Sequence, residues 1–187
     1  FLYKTQTMKQ LTVLLFALFI GFTACKNTAK KGDETATNVA ANFTGQDKID
    51  ADLIAKFVKD NKLKVQQTPS GINYIIETEG TGEHPTINDQ VKVHYKGTLL
   101  NGTQFDSSYD RGEPITFPLK GVVKGWQEGI PLLKKGGKGK LIIPSSLAYG
   151  ERARTSIPAN SVLVFDVELL DVIKPVPPAE QLKIDTE

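Results

Sequence analysis

A chain of 187 residues with 23 basic and 21 acidic side chains has room for one domain with extensions, and its formal net charge is only +2. No basic stripe stands out, so nothing in the charge pattern supports a nucleic-acid partner, and a single cysteine excludes an intrachain disulfide. A hydrophobic content of 40% is enough for a true core, and 16 glycines with 10 prolines indicate many turns and a β-rich domain.

Lys9 precedes the apolar run LTVLLFALFIGFTA, which ends at Ala24. The run is about 14 residues long, short of the roughly 20 that span a bilayer. A basic start, a short apolar core and small residues at the end read as a secretory signal over residues 1–24. Met8 is the only methionine and the expected start, which places residues 1–7 upstream of it. Ala24-Cys25 resembles the lipobox of bacterial lipoproteins, with Phe22 where a leucine is usual. The resemblance implies that Cys25 is acylated and becomes the mature N-terminus. Each buried methylene of the acyl chains adds ~0.8 kcal/mol to membrane attachment. The expected location is the bacterial cell envelope, on the periplasmic side of the outer membrane. Residues 25–45 are polar, lack an apolar period and read as a flexible tether.

A helix is expected over residues 46–63. Ile49, Leu53 and Phe57 recur at four-residue steps with Ile54 and Val58 alongside. Asp47, Asp50 and Asp52 lie near its start, as the helix dipole favours. It reads as a cap on the following domain rather than a dimerisation helix, and the oligomeric state stays open. From Lys64 the period changes to two. Strands are expected at 64–67 and 72–77 around Pro69-Ser70-Gly71, followed by a loop over 80–89.

The stretch VKVHYKGTLLNGTQFDSS, Val91 to Ser108, is the centre of the reading. Val91, Val93 and Tyr95 alternate with Lys92, His94 and Lys96, the pattern of a half-buried strand. Asn101-Gly102 suits a two-residue type I′ turn. That turn pairs Leu99 with Gln104, Gly97 with Asp106 and Tyr95 with Ser108. Asp106 then lies on the face of Tyr95, one pair away, close enough for the phenol and carboxylate to hydrogen-bond.

A short strand at 115–119 comes next, then a helix over 123–135 with Trp126, Ile130 and Leu133 on one face. Pro131 makes that helix short or irregular, and Gly136 caps it. A strand at 138–143 stops at Pro144. Residues 145–149 turn, 150–160 loop, and 161–172 form the longest strand, with Leu163, Phe165, Val167 and Leu169 facing the core. The domain spans 64–174 and a polar tail 175–187. The fold class is α+β: a curved half-barrel of five or six antiparallel strands wrapped around a short helix, preceded by the N-terminal helix.

The blocks VHYKGTL, NGTQFDSSYDRGEP, VVKGWQEGI, GGKGKLIIPSSLAYG and IPANSVLVFDVELLDV resemble, in order and spacing, the FKBP-type peptidyl-prolyl cis-trans isomerases, in their secreted bacterial lipoprotein form. The resemblance covers the whole expected domain. It implies a hydrophobic pocket for a prolyl ring. Trp126 would be its floor, Tyr95, Asp106, Tyr149 and Phe165 would be its catalytic lining, and Phe105, Val122, Val123 and Ile157 would be further walls. Arg111 would pair near Asp106, and the Val123 N–H would hold a substrate carbonyl. Implied partners are proline-containing unfolded or exported polypeptides, with a macrolide as inhibitor. No cofactor and no metal are implied. Departures are Ile115 where an aromatic is common, a charged and short stretch at 151–156, and Ala159 in place of a second proline. The regular hairpin register puts Phe105 on the face opposite Asp106, whereas the resemblance has both lining the pocket. A bulge or a strong twist near Gln104 would reconcile the two.

Such a site needs no nucleophile. Rotation about an X–Pro bond breaks amide resonance, so a dry apolar pocket favours the twisted state over the more charge-separated planar one. Each residue also has a plainer use. A tryptophan on an inner helix face is core, a Tyr–Asp pair is a structural bond, His84 and His94 are surface residues, Ser145-Ser146 lacks a base at motif spacing, and the lysines from 134 to 140 are a solvated edge. An FKBP-fold chaperone with little isomerase activity is the alternative function.

Overall fold

A computed structural model describes residues 45–175. The apolar run, Cys25, nearly all of the tether and nearly all of the polar tail lie outside the described residues. Within them no helix is long and apolar enough to cross a membrane.

The chain runs α1 (Gln46–Asp60), β1 (Gln66–Gln67), β2 (Asn73–Thr78), β3 (Gln90–Leu99), β4 (Gln104–Ser107), β5 (Ile115–Pro118), α2 (Lys124–Gly129), β6 (Lys138–Ile143) and β7 (Leu163–Ile173). All strand pairs are antiparallel and form one sheet in the order β1-β2-β6-β7-β3-β4. β5 pairs with the first half of β3, from Gln90 to Val93, on the edge that β4 takes further along. The sheet therefore has seven strands rather than five or six. Every stretch expected as a strand joins this one sheet, the two-residue β1 and the short β5 included.

One face of the sheet carries the main core. Val91, Val93 and Tyr95 of β3, Leu141 and Ile143 of β6, and Leu163, Phe165, Val167 and Leu169 of β7 are all buried there. A fully buried side chain of this kind stabilises by about 1.5–3 kcal/mol. α2 lies across this face, and Trp126, Ile130 and Leu133 are buried against it. Two glycines a helical turn apart allow the close approach: a Cβ on Gly129 would meet Leu141 at 2.7 Å, and one on Gly125 would run into Ile143. The helix is shorter than expected. It ends at Gly129 and continues as a single 3-10 turn, Ile130–Leu132, around Pro131, whose ring cannot donate to a longer α-helix. Gly136, at φ +85°, turns the chain toward β6 instead of capping α2.

The other face is covered by α1. Ile54 packs with Ile142, Val162 and Val164, with Phe57 and Val58 partly buried beside them. β6 thus buries both faces, which is why its end reads as the continuous apolar run Leu-Ile-Ile. The expected stripe of α1 is corrected in one respect. Ile49 and Leu53 are 53% and 43% exposed, whereas Asp50 is fully buried. The buried stripe is Asp50, Ile54, Phe57 and Val58, rotated away from Ile49 and Leu53. Asp50 is consequently a contact of the helix rather than a solvated dipole partner.

The turn between β3 and β4 also differs. The Gly102 N–H donates to Leu99 O (2.9 Å), the Leu99 N–H donates to Thr103 O (2.9 Å), and Gly102 alone takes a positive φ (+85°). The loop is the three residues Leu100 to Gly102, not a two-residue type I′ turn. The pairing that follows, Thr98 with Gln104, is one step off the expected register. A bulge at Phe105 restores it, so Gly97 pairs with Asp106 and Lys96 with Ser107 as expected.

The lysine-rich edge is matched by acids. Lys134, Lys135, Lys138 and Lys140 pair with Glu79, Asp171, Glu168 and Asp166 respectively. The last two pairs face each other across β6 and β7 in register.

Candidate active site

Three aromatic rings meet at the centre of the main core face. Trp126 reaches in from α2, Tyr95 from β3 and Phe165 from β7. Trp126 is edge-on to both partners, with ring centroids 5.1 Å from Tyr95 and 5.1 Å from Phe165. Such edge-to-face contacts are favourable beyond their buried area. Trp126 is 6% exposed and Phe165 5%, so they form a floor rather than a rim. The indole N–H is buried and unpartnered among the described residues.

Phe105 joins the floor because of the bulge. It sits edge-on to Phe165 at 5.6 Å, over Gly97. The conflict between register and resemblance is resolved as expected, with the bulge at Phe105 itself. Phe117 also joins, at 5.3 Å from Trp126 with the rings tilted by 40°. Sequence reasoning did not assign Phe117 to the site. The alternation Ile115-Thr116-Phe117 could have found it, because it puts both large residues on one face of β5.

The polar rim is a three-residue network. The Tyr95 phenol donates to Asp106 Oδ2. Arg111 donates through one guanidinium nitrogen to Asp106 Oδ1 and through the other to the Tyr95 oxygen (2.9 Å). The Ser107 N–H adds a bond to Asp106 Oδ1 (2.8 Å). Burial works against ionisation of Asp106, but the bonds from Tyr95 and Arg111 outweigh it, so its carboxyl titrates below an ordinary aspartate. Burial and the Asp106 carboxylate push the Tyr95 phenol above its ordinary range, against a smaller opposing effect of Arg111. At neutral pH the network holds an anionic carboxylate, a neutral phenol and a guanidinium.

The remaining expected residues gather around the same cluster. Val122, Val123 and Tyr149 are partly buried against it, and Ile157 is 7% exposed within it. None of the described hydrogen bonds uses the Val123 N–H or the Tyr149 hydroxyl, so both are available to a ligand. Arg154 stands over the Tyr149 ring at 5.0 Å, held by paired backbone bonds between Arg154 and Ile157. The short charged stretch is therefore a tight turn against the rim.

One of the two histidines is less solvated than expected. His94 is half-buried on the reverse side of β3. Its Nδ1 lies 2.9 Å from Ser108 Oγ, and its ring stacks on Tyr109. His84 is exposed, with Nδ1 2.9 Å from Pro131 O. Neither touches the aromatic floor.

Comparison with known proteins matches residues 81–170 to a family described as FKBP-type peptidyl-prolyl cis-trans isomerase. The chain is 56% identical over 122 residues to the FKBP-type peptidyl-prolyl cis-trans isomerase FkpA of Aeromonas hydrophila, an alignment covering 65% of this chain and 46% of that protein. Among solved structures, FkpA from Escherichia coli is 51% identical with a TM-score of 0.61, over 71% of this chain and 64% of that one. AtFKBP13 is 40% identical with a TM-score of 0.54, over 57% of this chain and 97% of that one. The chain thus spans about half the length of the curated relatives it matches, but nearly all of a smaller solved relative. Residues 81–170 hold β3 to β6, most of β7, α2 and the rim loops, which carry every residue named for the site, and with 97% of a 40% identical FKBP structure covered, the chain belongs to the FKBP-type peptidyl-prolyl cis-trans isomerase family.

Proposed function

We propose that this chain is a peptidyl-prolyl cis-trans isomerase. The observation that carries the reading is the buried aromatic floor of Trp126, Phe165 and Tyr95, bordered by half-buried Phe105, Val122, Val123 and Tyr149. A planar amide resists rotation by ~18–20 kcal/mol because resonance delocalises charge onto its oxygen. Water stabilises that charge separation, and an apolar wall does not. A prolyl ring seated on Trp126 would place its amide where the twisted, less polar state is favoured, and binding that is stronger at the transition state lowers the barrier.

The other residues have distinct roles in this reading. Phe105, Val122, Val123 and Ile157 enclose the ring and exclude water. The Val123 N–H and the Tyr149 hydroxyl hold substrate carbonyls on either side of the rotating bond, which fixes one half of the peptide while the other turns. Asp106, kept anionic by Tyr95 and Arg111, orients the carbonyl carbon electrostatically. It acts neither as base nor as nucleophile, because rotation about the C–N bond needs no bond to the protein. Binding of a macrolide would occupy the same floor.

The proposed clients are proline-containing chains after export, and the proposed place is the bacterial cell envelope, attached through acyl chains on Cys25 at the periplasmic side of the outer membrane. The apolar run and Ala24-Cys25 support this. Labelling with a radioactive fatty acid, lost in Cys25→Ser, tests the anchor. The isomerase reading is tested by a protease-coupled assay on a proline peptide. A cis-to-trans rate no faster than the uncatalysed one, which takes tens to hundreds of seconds, overturns it.

A further inference from the structure

We propose that Asp50 of α1 is a positioning residue for the pocket: it sets the turn that carries Tyr149. The proposal rests on the reading of Tyr149 as a phenol that binds the substrate carbonyl.

Asp50 is fully buried. Its Oδ2 accepts the Ser145 N–H at 2.7 Å, and its Oδ1 accepts the Gln46 amide at 2.8 Å. Among the described residues this bond to Ser145 is the only hydrogen bond from α1 to the sheet domain. A helix that served only to cover Ile142 and Val164 would gain more from an apolar residue here, because burying a carboxylate is costly unless its bonds are used.

The use lies on the other side of Ser145. The Ser145 carbonyl accepts the N–H groups of Ala148 (2.9 Å) and Gly150 (2.8 Å), the two residues that flank Tyr149. The Gly150 carbonyl then accepts the Asn160 N–H (2.7 Å), which ties in the loop that bears Ile157. One residue is therefore fixed by Asp50 on its donor side and fixes both neighbours of Tyr149 on its acceptor side.

The turn is closed by backbone bonds alone, including one from the Leu147 N–H to Pro144 O (3.1 Å). No side chain of the 3-10 segment Ser145–Leu147 caps it, and the Ser145 hydroxyl is buried with no partner. A cleft of about 270 Å³ beside the bond is lined by Ala51 and Ile54 of α1 and by Pro144, Ser146 and Leu147. Leu147, Ala148 and Tyr149 pack on the main core from the far side of the turn, and the Asp50–Ser145 bond is the polar tie that holds it from the side of α1.

The test is a double-mutant cycle in the proline-peptide assay on the full chain, run cold on variants shown to be folded by circular dichroism. Asp50→Ala is expected to lower kcat/KM about three- to tenfold, the range of one hydrogen bond, and Asp50→Asn, which keeps an acceptor, to stay within about twofold of the unmodified chain. Asp50→Ala is expected to cost nothing further in a Tyr149→Phe background, because the group it positions is already gone. A purely structural role predicts the same loss in both backgrounds. That outcome, or an undiminished rate in folded Asp50→Ala, overturns the proposal. If Asp50→Ala does not fold, Gln46→Ala at the start of α1 takes its place: a smaller loss confined to the Tyr149 background supports the proposal, and no loss overturns it. An inactive unmodified chain overturns the isomerase reading, and an unaffected Tyr149→Phe overturns the role of its phenol. Either removes the ground for Asp50 and is distinct from failure at Asp50 alone.

Discussion

Phe105 lies directly over Gly97 across the β3–β4 pair: a Cβ at position 97 would come within 2.6 Å of the Phe105 ring and 3.0 Å of Phe165. The bulge brings Phe105 to the pocket face, and the missing side chain at 97 lets it stay there. Gly97→Ala should therefore expel Phe105 from the floor. The expected cost is about 1–3 kcal/mol of stability, the usual range for overpacking, measured by urea unfolding. A fall in kcat/KM should accompany it, and Phe105→Leu in the Gly97→Ala background should recover part of the stability by giving the methyl room. A Gly97→Ala protein with unchanged stability and activity would show that Phe105 is not held in this way.

Floor and rim should separate in kinetics. Trp126→Leu and Phe165→Leu keep an apolar, folded core but open the floor to water, and should remove most of the activity. Asp106→Ala breaks the bonds from Tyr95 and Arg111 yet leaves the floor in place, so its loss should be smaller, about tenfold or less if it only orients the amide. A greater loss at Asp106 than at Trp126 would move the chemistry from desolvation to the carboxylate.

Much of this arrangement can be read from residue order, and the exceptions share a physical cause. Period two placed Leu163, Phe165, Val167 and Leu169 on the core face of β7, and a turn between Val91 and Ser108 was enough to put Tyr95 beside Asp106, because both depend on local alternation. β6 was also legible from end to end, over 138–143 with Pro144 as its stop. The turn at Leu100–Gly102 was not, since Asn-Gly fits more than one loop length and the choice is settled by the bulge further along. Asp50 looked like a dipole partner because burial on a helix depends on which stripe the sheet accepts, and Ile49 and Leu53 offered an equally apolar one. Phe117 was passed over because its role lies in contact with Trp126, which is distant in the chain.

Acid should loosen the loop before β3 through Asp89. This side chain is 2% exposed and accepts the Thr86 N–H (2.7 Å), the Thr86 hydroxyl (2.9 Å) and the Lys174 ammonium (2.9 Å). Burial opposes its ionisation, but those bonds prevail, and its carboxyl titrates below the ordinary value. The folded form thus binds the proton more weakly than the unfolded chain. The stabilisation is fully present above the unfolded pKa of about 3.9 and is lost as pH falls through the lower folded value. Thermal melts should therefore show Tm falling below about pH 4. In Asp89→Asn the melt should be lower at pH 7 and the acid slope shallower. An identical acid slope in the variant would assign the loss to other carboxylates.

The pH dependence of the rate should be flat where that of an acid–base enzyme bends. Asp106 titrates below an ordinary aspartate and Tyr95 above an ordinary tyrosine. Their unperturbed values are about 3.9 and 10, so neither changes charge between about pH 5 and 9. Rotation in a desolvated pocket transfers no proton, so kcat/KM should stay level across that window. The measurement is the proline-peptide assay in a constant-ionic-strength buffer series, with a protease active throughout. An inflection near pH 6.5 would implicate an imidazole. The one placed to act is His94, whose bond to Ser108 Oγ reaches the Tyr95 N–H (2.8 Å) from behind the strand. His94→Gln separates the two outcomes: if it abolishes the inflection, the pocket is tuned through β3, and a profile level in both proteins leaves desolvation as the source of the rate.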